Sequence, residues 1–591
     1  MIENDKSIEA VRHSLSHVLA CSVKQLYPGS QNAIGPAVEN GFYQDFELSG
    51  PIGEEDLPKI EKKMQEILKE WKGFERKEVG LDEALDIFSD NKYKQELARE
   101  FAEGGKILTV YTSGDFVDLC KGGHVDDISS INPTSFKIMK TAGAYWKGDE
   151  KNLMLTRIYG LAFATKQELL DHLQMLEEAK KRDHRKLGKE LDLFIFSDLV
   201  GSGLPLYTPR GNAVREGLIG FSEEVRAKVG FEKVWSPHIT KKELYEVSGH
   251  WDKFGDELFI VNSQETSDEL VMKPMNCPHH AQIYASRPRS YKELPVKLME
   301  TTTNYRDEKT GELHGLSRVR SLTQDDSHTY CRQDQVDEIF DQLIEKIQEF
   351  YLAIDMPLKL RLSLRDDSDA YLGPTELWKF GQEKLAAIAE RNKLEFYSEE
   401  GEAAFYGPKL DFMATDAIGR VWQVATVQFD FVQPERFKLE YTNDKGEKEQ
   451  PIMIHCAIMG SFDRFFSVYI EHTAGRFPIW LAPEQIRILT VNQEQETADF
   501  ADSILEQAKA LGLRATIDND SESVGKKIRN AEIWKVPYTL VVGENEIKGG
   551  RVTPRVRKDL VVIAAHPELS IEDFLKTVAN ETKMRVIKTS L

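Results

Sequence analysis

The sequence predicts a multidomain protein of α+β and α/β architecture, and three observations carry the prediction. Its 591 residues exceed what one hydrophobic core can serve, so three or four domains are expected. The periodicity changes along the chain, from short strands and helices around Gly and Pro turns, through strand patterns flanking helices, to a regular strand–helix alternation. With 41% hydrophobic and 30% charged residues, the composition is that of a soluble globular chain, and no apolar run approaches the roughly 18 residues a membrane helix needs.

Taken in order, residues 1–166 carry turns such as NAIGPAVENGF and end in AGAYWKGDEKNLMLTRIYG, which predicts an α+β domain. Around 167–190, Leu169, Leu170, Leu173 and Leu176 fall at helical spacing with charges elsewhere, predicting one connecting helix. In 191–481, alternating stretches such as RVWQVATVQFDFV and KLRLSLRD flank helices such as VDEIFDQLIEKIQEFYLAI, the pattern of a large antiparallel sheet carrying helices. Residues 482–591 run IRILTV, a helix around FADSILEQAKALG, LRATID, a second helix, YTLVVG and a closing helix, which predicts a small doubly wound α/β domain.

A net charge of −21 and a pI near 5.3 count, taken globally, against a nucleic-acid partner. Locally the balance reverses. From Ser521 to Leu591 cations outnumber acids, with RVTPRVRKD at the centre, so an acidic body with a basic end can hold RNA there. The opening MIENDKSIEAVRHS has no secretory pattern, and five scattered cysteines form no disulfide framework. Both predict a reducing, cytoplasmic setting in which any important cysteine is a ligand or a catalyst.

Two sets of residues carry metal-type chemistry. Cys277 in VMKPMNCPHH, His328 in LTQDDSHTYC and His455 in IMIHCAIMGSFDRF would make a three-ligand zinc site with an open fourth position. Their separations match no local ligand pair, so a buried Cys with core histidines fits as well, and His279 and His280 compete as ligands. In RHSLSH, His13 and His17 share a helix face at i and i+4, and DLCKGGH adds Cys120 and His124, a second set that reads as zinc ligands or as structural histidines.

The strings KPMNCPHH, NYRDEKTGELHGLSRVRSLTQDDSH, AAFYGPKLDF, WQVATVQFDF and MIHCAIMGSFDRF resemble, in order and spacing, those of threonyl-tRNA synthetases, and the likeness covers nearly the whole chain. The resemblance implies a class II antiparallel-sheet catalytic core that activates threonine with ATP and Mg2+ and loads it onto tRNA(Thr). Carboxylate attack on the α-phosphate develops charge that fixed cations must stabilise. By resemblance Arg306 faces that phosphate, Arg318 and Arg464 serve the outer phosphates with magnesium, and Glu308 fixes the adenine amino group. Pro237 in VWSPHI would close the first class II motif, which builds the dimer interface in relatives, so a homodimer is implied.

Threonine selection gives the metal its purpose. Valine is nearly isosteric with threonine, and only a site that binds the hydroxyl leaves valine with an unmet partner. The resemblance places one Zn2+ on Cys277, His328 and His455, Asp326 against the hydroxyl, and Tyr406, Gln324, Gln428 and Ser461 against substrate or adenylate. Serine lacks only a methyl group, worth roughly 1–3 kcal/mol, so a second, hydrolytic site is expected. In similar N-terminal domains His13, His17, Cys120 and His124 act without metal, with Lys94 and Asp118 positioning ribose and serine and Tyr43 near the pocket.

Departures from the family pattern carry their own expectations. The usual N-terminal ubiquitin-like module is absent before the editing helix; CKGGH replaces CRGPH, so His124 is expected to be held less firmly; and Leu322 stands where an aromatic usually precedes TQDD, which would weaken ATP binding. The last domain resembles the anticodon-binding domain of class II synthetases, with Glu546 and Arg555 on adjacent strands as base readers and Ser521 in place of a usual asparagine. A synthetase for proline or serine, and a non-catalytic tRNA-binding regulator, are the alternatives. The three ligands oppose the first and their retention with Arg306, Arg318 and Arg464 the second, while length excludes a free-standing editing protein.

Overall fold

Helix Ile2–Leu26 turns Leu15, Val18, Leu19 and Val23 onto an antiparallel sheet and so builds the main core of the N-terminal unit, which runs to Glu178. The computed structural model describes residues 2–562 and 568–591. That sheet is ordered Gln31–Asn32, Gly41–Glu47, Met154–Ala162, Phe136–Tyr145, with Ala37–Val38 paired to Gly41–Glu47. The two-residue alternation sends Phe42 and Phe46 into the core and Tyr43, Asp45 and Glu47 to the other face. Tyr43 lies there beneath the Arg157 guanidinium, 3.8 Å from its ring centroid. A three-stranded sheet, Glu75–Val79, Leu108–Ser113 and Phe116–Leu119, packs its own apolar cluster under helices Leu81–Ile87 and Lys92–Glu103. Asn91 starts the second of these helices by accepting from the Tyr93 and Lys94 amides, and its Nδ2 donates to the Asn32 carbonyl at 2.9 Å. A cap of this kind contributes about 0.5–2 kcal/mol and here also fixes where Lys94 stands.

The connecting helix is two helices rather than one. Lys166–Arg182 ends at Asp183, whose side chain accepts from the Arg185 amide and caps a second helix, His184–Glu190. Leucine spacing hid the break, because Asp is a poor interior residue but a good cap.

The second unit, from Ala179, is built on an eight-stranded sheet ordered Glu232–Lys233, Val296–Tyr305, Ser321–Cys331, Ile452–Ser461, Val421–Asp430, Lys409–Thr415, Leu358–Leu364, Phe396–Glu400. Its six central strands are antiparallel and the outermost pair on each side is parallel. Helices Pro209–Ala227, Val336–Leu352 and Phe462–Thr473 contribute to one continuous core, with Ile339, Phe340, Leu343, Ile344, Ile347 and Phe350 all buried. Each such side chain stabilises by about 1.5–3 kcal/mol relative to exposure. The C-terminal segment has a four-stranded sheet, Ala515–Asp518, Ile486–Thr490, Tyr538–Val542 and Arg555–Val556, parallel except for the last edge strand, flanked by helices Gln495–Ala510, Val524–Ile533 and Ile571–Lys583. No helix among the described residues is long and apolar enough to cross a membrane.

Candidate functional site

In the large sheet, strand alternation places Gln324, Asp326 and His328 on one face, with His455 opposite His328 and Gln428 opposite His455 in register. A bulge between Gln324 and Asp326 shifts the pairing so that Gln324 meets Ser461 and Asp326 meets Ala457. The intervening Asp325 points to the helix side. Its buried carboxylate accepts from the Ser222 hydroxyl at 2.6 Å and from the Ile458, Met459 and Gly460 amides at 3.0–3.2 Å, pinning both strands at the bulge.

Cys277, His328 and His455 come together here, with all ligand atoms within 4.8 Å of one another. Cys277 opens helix Cys277–Ala285, which carries Pro278 in its first turn. His328 Nε2 and His455 Nδ1 face each other at 3.0 Å, close to the roughly 3.3 Å between two nitrogens on one tetrahedral zinc. Burial, followed by the two neighbouring imidazoles, keeps His328 well below its ordinary pKa and hence neutral, the ligating form. Burial also pushes the Cys277 thiol well above its usual range, with Asp326 and Asp430 adding to the effect. A divalent ion would supply the positive charge that a thiolate needs there. The residues present therefore fit a metal.

The two histidines that competed with this set in the sequence lie outside it, and further neighbours join that the sequence did not single out. His280 stands outside the three-residue set; its Nδ1 lies 2.7 Å from His328 Nδ1 and its Nε2 3.4 Å from Glu300 Oε2. His279 is buried with neither ring nitrogen hydrogen-bonded among the described residues. Asp430 accepts from His455 Nε2 at 2.8 Å, and Gln433 touches both Asp430 and the Cys277 thiol. His250 Nε2 is 3.9 Å from Cys277 Sγ. The cue for Asp430 was its place within VQFDF; Glu300 and Gln433 lie outside the quoted strings.

Around this cluster Tyr406 stacks on His455 at 4.9 Å and donates to Gln428 Oε1 at 2.5 Å. Asn304 Nδ2 donates to Gln324, and Ser461 caps helix Phe462–Thr473 by accepting from the Arg464 amide. Arg306 and Arg464 form no side-chain hydrogen bond or ion pair among the described residues. Arg318 is paired with Glu308 at 2.7 Å and with Glu312 at 2.5 Å, so two expected nucleotide contacts engage each other in this structure. Leu322 is buried at 7% exposure.

The N-terminal unit assembles the other predicted set. Cys120 Sγ lies 3.3 Å from His13 Nε2 and 3.4 Å from His124 Nε2, while His13 and His17 are 3.2 Å apart. Behind them Asp118 is fully enclosed, 3.0 Å from His17 Nδ1 and 2.6 Å from Lys94 Nζ, and accepts from Asn32 Nδ2. Burial opposes a charge on His17, but Asp118 and Cys120 outweigh it and raise the pKa to about 9. Burial opposes a thiolate on Cys120 too, yet the three imidazoles bring its pKa down to about 3. The set is thus a compensated thiolate–imidazolium–carboxylate array.

Two expectations concern neighbouring segments. His124 stacks on Phe74 at 4.1 Å and meets Tyr111 edge-on at 4.8 Å, while its buried Nδ1 has no hydrogen-bond partner among the described residues. Gly123 adopts φ +92°, which proline cannot reach, so the loop takes a glycine-only path. Glu546 does not lie on a strand adjacent to Arg555. It belongs to helix Glu544–Gly549, where its carboxylate accepts from the Gly543 amide, whereas Arg555 sits exposed on the edge strand Arg555–Val556. Glu two residues inside a helix start stabilises that start, a role the strand reading overlooked. A third cluster, Asp183, His184 and Glu471, is structural: Glu471 occupies His184 Nδ1 at 2.7 Å and the Leu316 amide donates to Nε2 at 3.1 Å.

Comparison with known proteins bears on all of these regions. Residues 259–473 match the tRNA synthetase class II core domain (G, H, P, S and T), residues 485–581 the anticodon binding domain, and residues 108–159 the threonyl and alanyl tRNA synthetase second additional domain. The threonine–tRNA ligase of Gloeobacter violaceus is 46% identical over 562 residues, spanning 93% of this chain and 89% of the relative. That of Flavobacterium psychrophilum is 44% identical over 592 residues, 99% of this chain and 90% of the relative. A crystal structure titled as the RNA binding domain of threonyl-tRNA synthetase from Cryptosporidium parvum Iowa II superposes with a TM-score of 0.64 at 32% identity, covering 69% of this chain and 99% of that one. With three matching domain types and near-full-length identity above two fifths, the chain belongs to the threonine–tRNA ligase family of class II aminoacyl-tRNA synthetases.

Proposed function

We propose that the chain activates threonine with ATP on the large sheet, transfers it to tRNA(Thr), and removes misattached serine hydrolytically at the His13–Cys120 cluster. The observation that carries the first half is the face-to-face pair of imidazole nitrogens, 3.0 Å apart beside Cys277, on the same sheet face as Asp326. Zinc held by Cys277, His328 and His455 would supply Lewis-acid attraction for the amino group and hydroxyl of threonine. Asp326 accepts from that hydroxyl, so valine is rejected for lack of a partner, by a factor that apolar fit alone does not reach. Tyr406, Gln428, Gln324 and Ser461 hold the rest of the substrate. Arg306 receives the α-phosphate and Arg464, with Arg318 once released from Glu308, the outer phosphates and their Mg2+. Glu308 is then free to meet the adenine. Leu322, in place of an aromatic, gives this pocket less stacking surface.

In the N-terminal unit, Lys94 and Asp118, buried and paired with each other, position the ribose and serine through His17 rather than by direct contact, and His13 orients a water toward the ester carbonyl. Deacylation proceeds here without a metal, as the family resemblance implies. Arg555, with Glu546 on the neighbouring helix, reads anticodon bases. The domain limits that fit this division of labour are 1–166, 167–190, 191–481 and 482–591, and the functional form is a homodimer in the cytoplasm. Aminoacylation of a tRNA(Thr) transcript tests the proposal: threonine should be attached stably, and serine should accumulate on the RNA only in a His13→Ala variant. Stable seryl-RNA with the unaltered enzyme would refute the hydrolytic half.

A further inference from the structure

The three residues assigned to the metal are each gripped from behind by a buried polar side chain, and the grips follow one logic. Asp430 is completely buried and accepts from the Val432 amide at 2.8 Å, the Gln433 amide at 2.9 Å and Gln433 Nε2 at 2.6 Å, so its carboxylate cannot rotate. Its Oδ2 takes the hydrogen of His455 Nε2 at 2.8 Å. That leaves the lone pair of His455 on Nδ1, the atom facing His328. On the other side Glu300 is held by the Ser236 amide and hydroxyl, each at 2.7 Å, and by Lys273 at 3.7 Å. Glu300 lies 3.4 Å from His280 Nε2 and, as an acceptor-only carboxylate, takes its hydrogen. His280 Nδ1 is then an acceptor, and the hydrogen of His328 Nδ1 fills it at 2.7 Å. The lone pair of His328 is consequently on Nε2. Two lone pairs face each other across 3.0 Å with no hydrogen between them, an arrangement that favours a cation.

Resting on the metal reading above, we infer that His280 and Asp430 are positioning residues that fix His328 as an Nε2 ligand and His455 as an Nδ1 ligand. Glu300 acts one step further out through His280, and Gln433 ties the Asp430 turn to Cys277. Such outer partners raise ligand basicity and hold ring orientation, and their loss typically weakens metal binding 10- to 100-fold. Asp430→Asn is the sharpest variant. Its amide oxygen can keep the turn amides while its NH2 faces His455 Nε2, forcing the ring hydrogen onto Nδ1, the wrong tautomer for ligation. His280→Leu removes the acceptor for His328, and His280→Gln restores one through its amide oxygen.

The test uses the full chain stripped of metal and titrated with Co2+, and with Zn2+ against a chromophoric chelator, while the melting of each metal-free protein is followed in parallel. Unaltered protein should bind one ion with a thiolate-to-cobalt charge-transfer band. Asp430→Asn and His280→Leu should bind about 10- to 100-fold more weakly with shifted d–d bands, Glu300→Gln less so, and His280→Gln close to the unaltered protein. Metal binding by Asp430→Asn and His280→Leu as tight and spectrally identical as in unaltered protein would overturn the positioning role alone. Failure of unaltered protein to take up either ion would overturn the metal reading and this inference with it. Should Asp430→Asn melt early without metal, the contrast between His280→Leu and His280→Gln decides.

Discussion

At His13, His17, Cys120 and His124 the cysteine is an anion and an adjacent imidazole a cation, with Asp118 and Lys94 completing the balance from behind. At Cys277, His328 and His455 the cysteine is driven toward the neutral thiol, and the histidines turn their hydrogens outward to Asp430 and His280. Both clusters draw on the same two residue types, and both bring their ligand atoms within 4.8 Å. The difference teaches that a His/Cys constellation is read by where its hydrogens and countercharges go, not by its composition. One cluster balances its charges among its own members and Asp118. The other brings its ring nitrogens face to face at 3.0 Å beside a buried cysteine, a donor set that suits a cation.

Exchanging ligands between the two sites would break this contrast most severely. Cys277→Ser should lose bound metal and reduce threonine-dependent ATP–pyrophosphate exchange by at least about 100-fold, leaving hydrolysis of seryl-tRNA unchanged. Cys120→Ser or His13→Ala should do the reverse, and a variant that disables both reactions would show the clusters to be coupled. Arg306→Ala comes next, since its guanidinium makes no hydrogen bond or ion pair among the described residues: exchange should fall about 10²- to 10³-fold with metal content intact. Arg306→Ala protein with normal exchange would remove it from the phosphate site.

The electrostatic half of the comparison has a pH signature. With its pKa lowered to about 3, Cys120 is a thiolate throughout the neutral range, so its alkylation rate should be nearly flat between about pH 5 and 8. An ordinary thiol gains about tenfold per pH unit up to about 8.5. The sign follows from His17: its raised pKa of about 9 makes its ion pairs stabilising below about pH 6.5, and they are lost as pH rises through about 9. Asp118→Asn removes the carboxylate partner of His17 and should lower its pKa, read by titration of the His17 ring. A steep profile in the unaltered protein would contradict the compensated array.

Arg555→Ala gives the smallest effect and serves as the control outside both clusters. tRNA binding should weaken by about 1–3 kcal/mol, read as a higher KM for tRNA with exchange and seryl-tRNA hydrolysis untouched.

Much of this was legible in the sequence, for reasons that differ by region. Helix Val336–Leu352 and strand Val421–Asp430 follow from apolar period alone, because each buries a continuous face. The final α/β segment was readable for the same reason. The break at Asp183 was not, since a cap inside a leucine-rich run is declared only by its local hydrogen bond. Glu546 was misplaced because a one-and-a-half-turn helix has too few residues to show a period. Among site residues, Cys and His stood out by type, but spacing could not separate Cys277, His328 and His455 from His279 and His280; that grouping depends on strand register, which pairs His328 with His455. Asp325 and Glu300 escaped notice because they act through backbone amides and through His280, contacts with no sequence signature.

Threonine-, valine- and serine-dependent ATP–pyrophosphate exchange, measured beside seryl-tRNA hydrolysis on one preparation before metal removal, after it and after zinc is restored, tests the central claim most directly. The account predicts exchange with threonine, some with serine and none with valine, abolished by stripping and recovered with zinc, while hydrolysis persists throughout. Exchange that survives complete metal removal, or hydrolysis that disappears with it, would contradict the assignment of metal chemistry to one cluster and metal-free chemistry to the other.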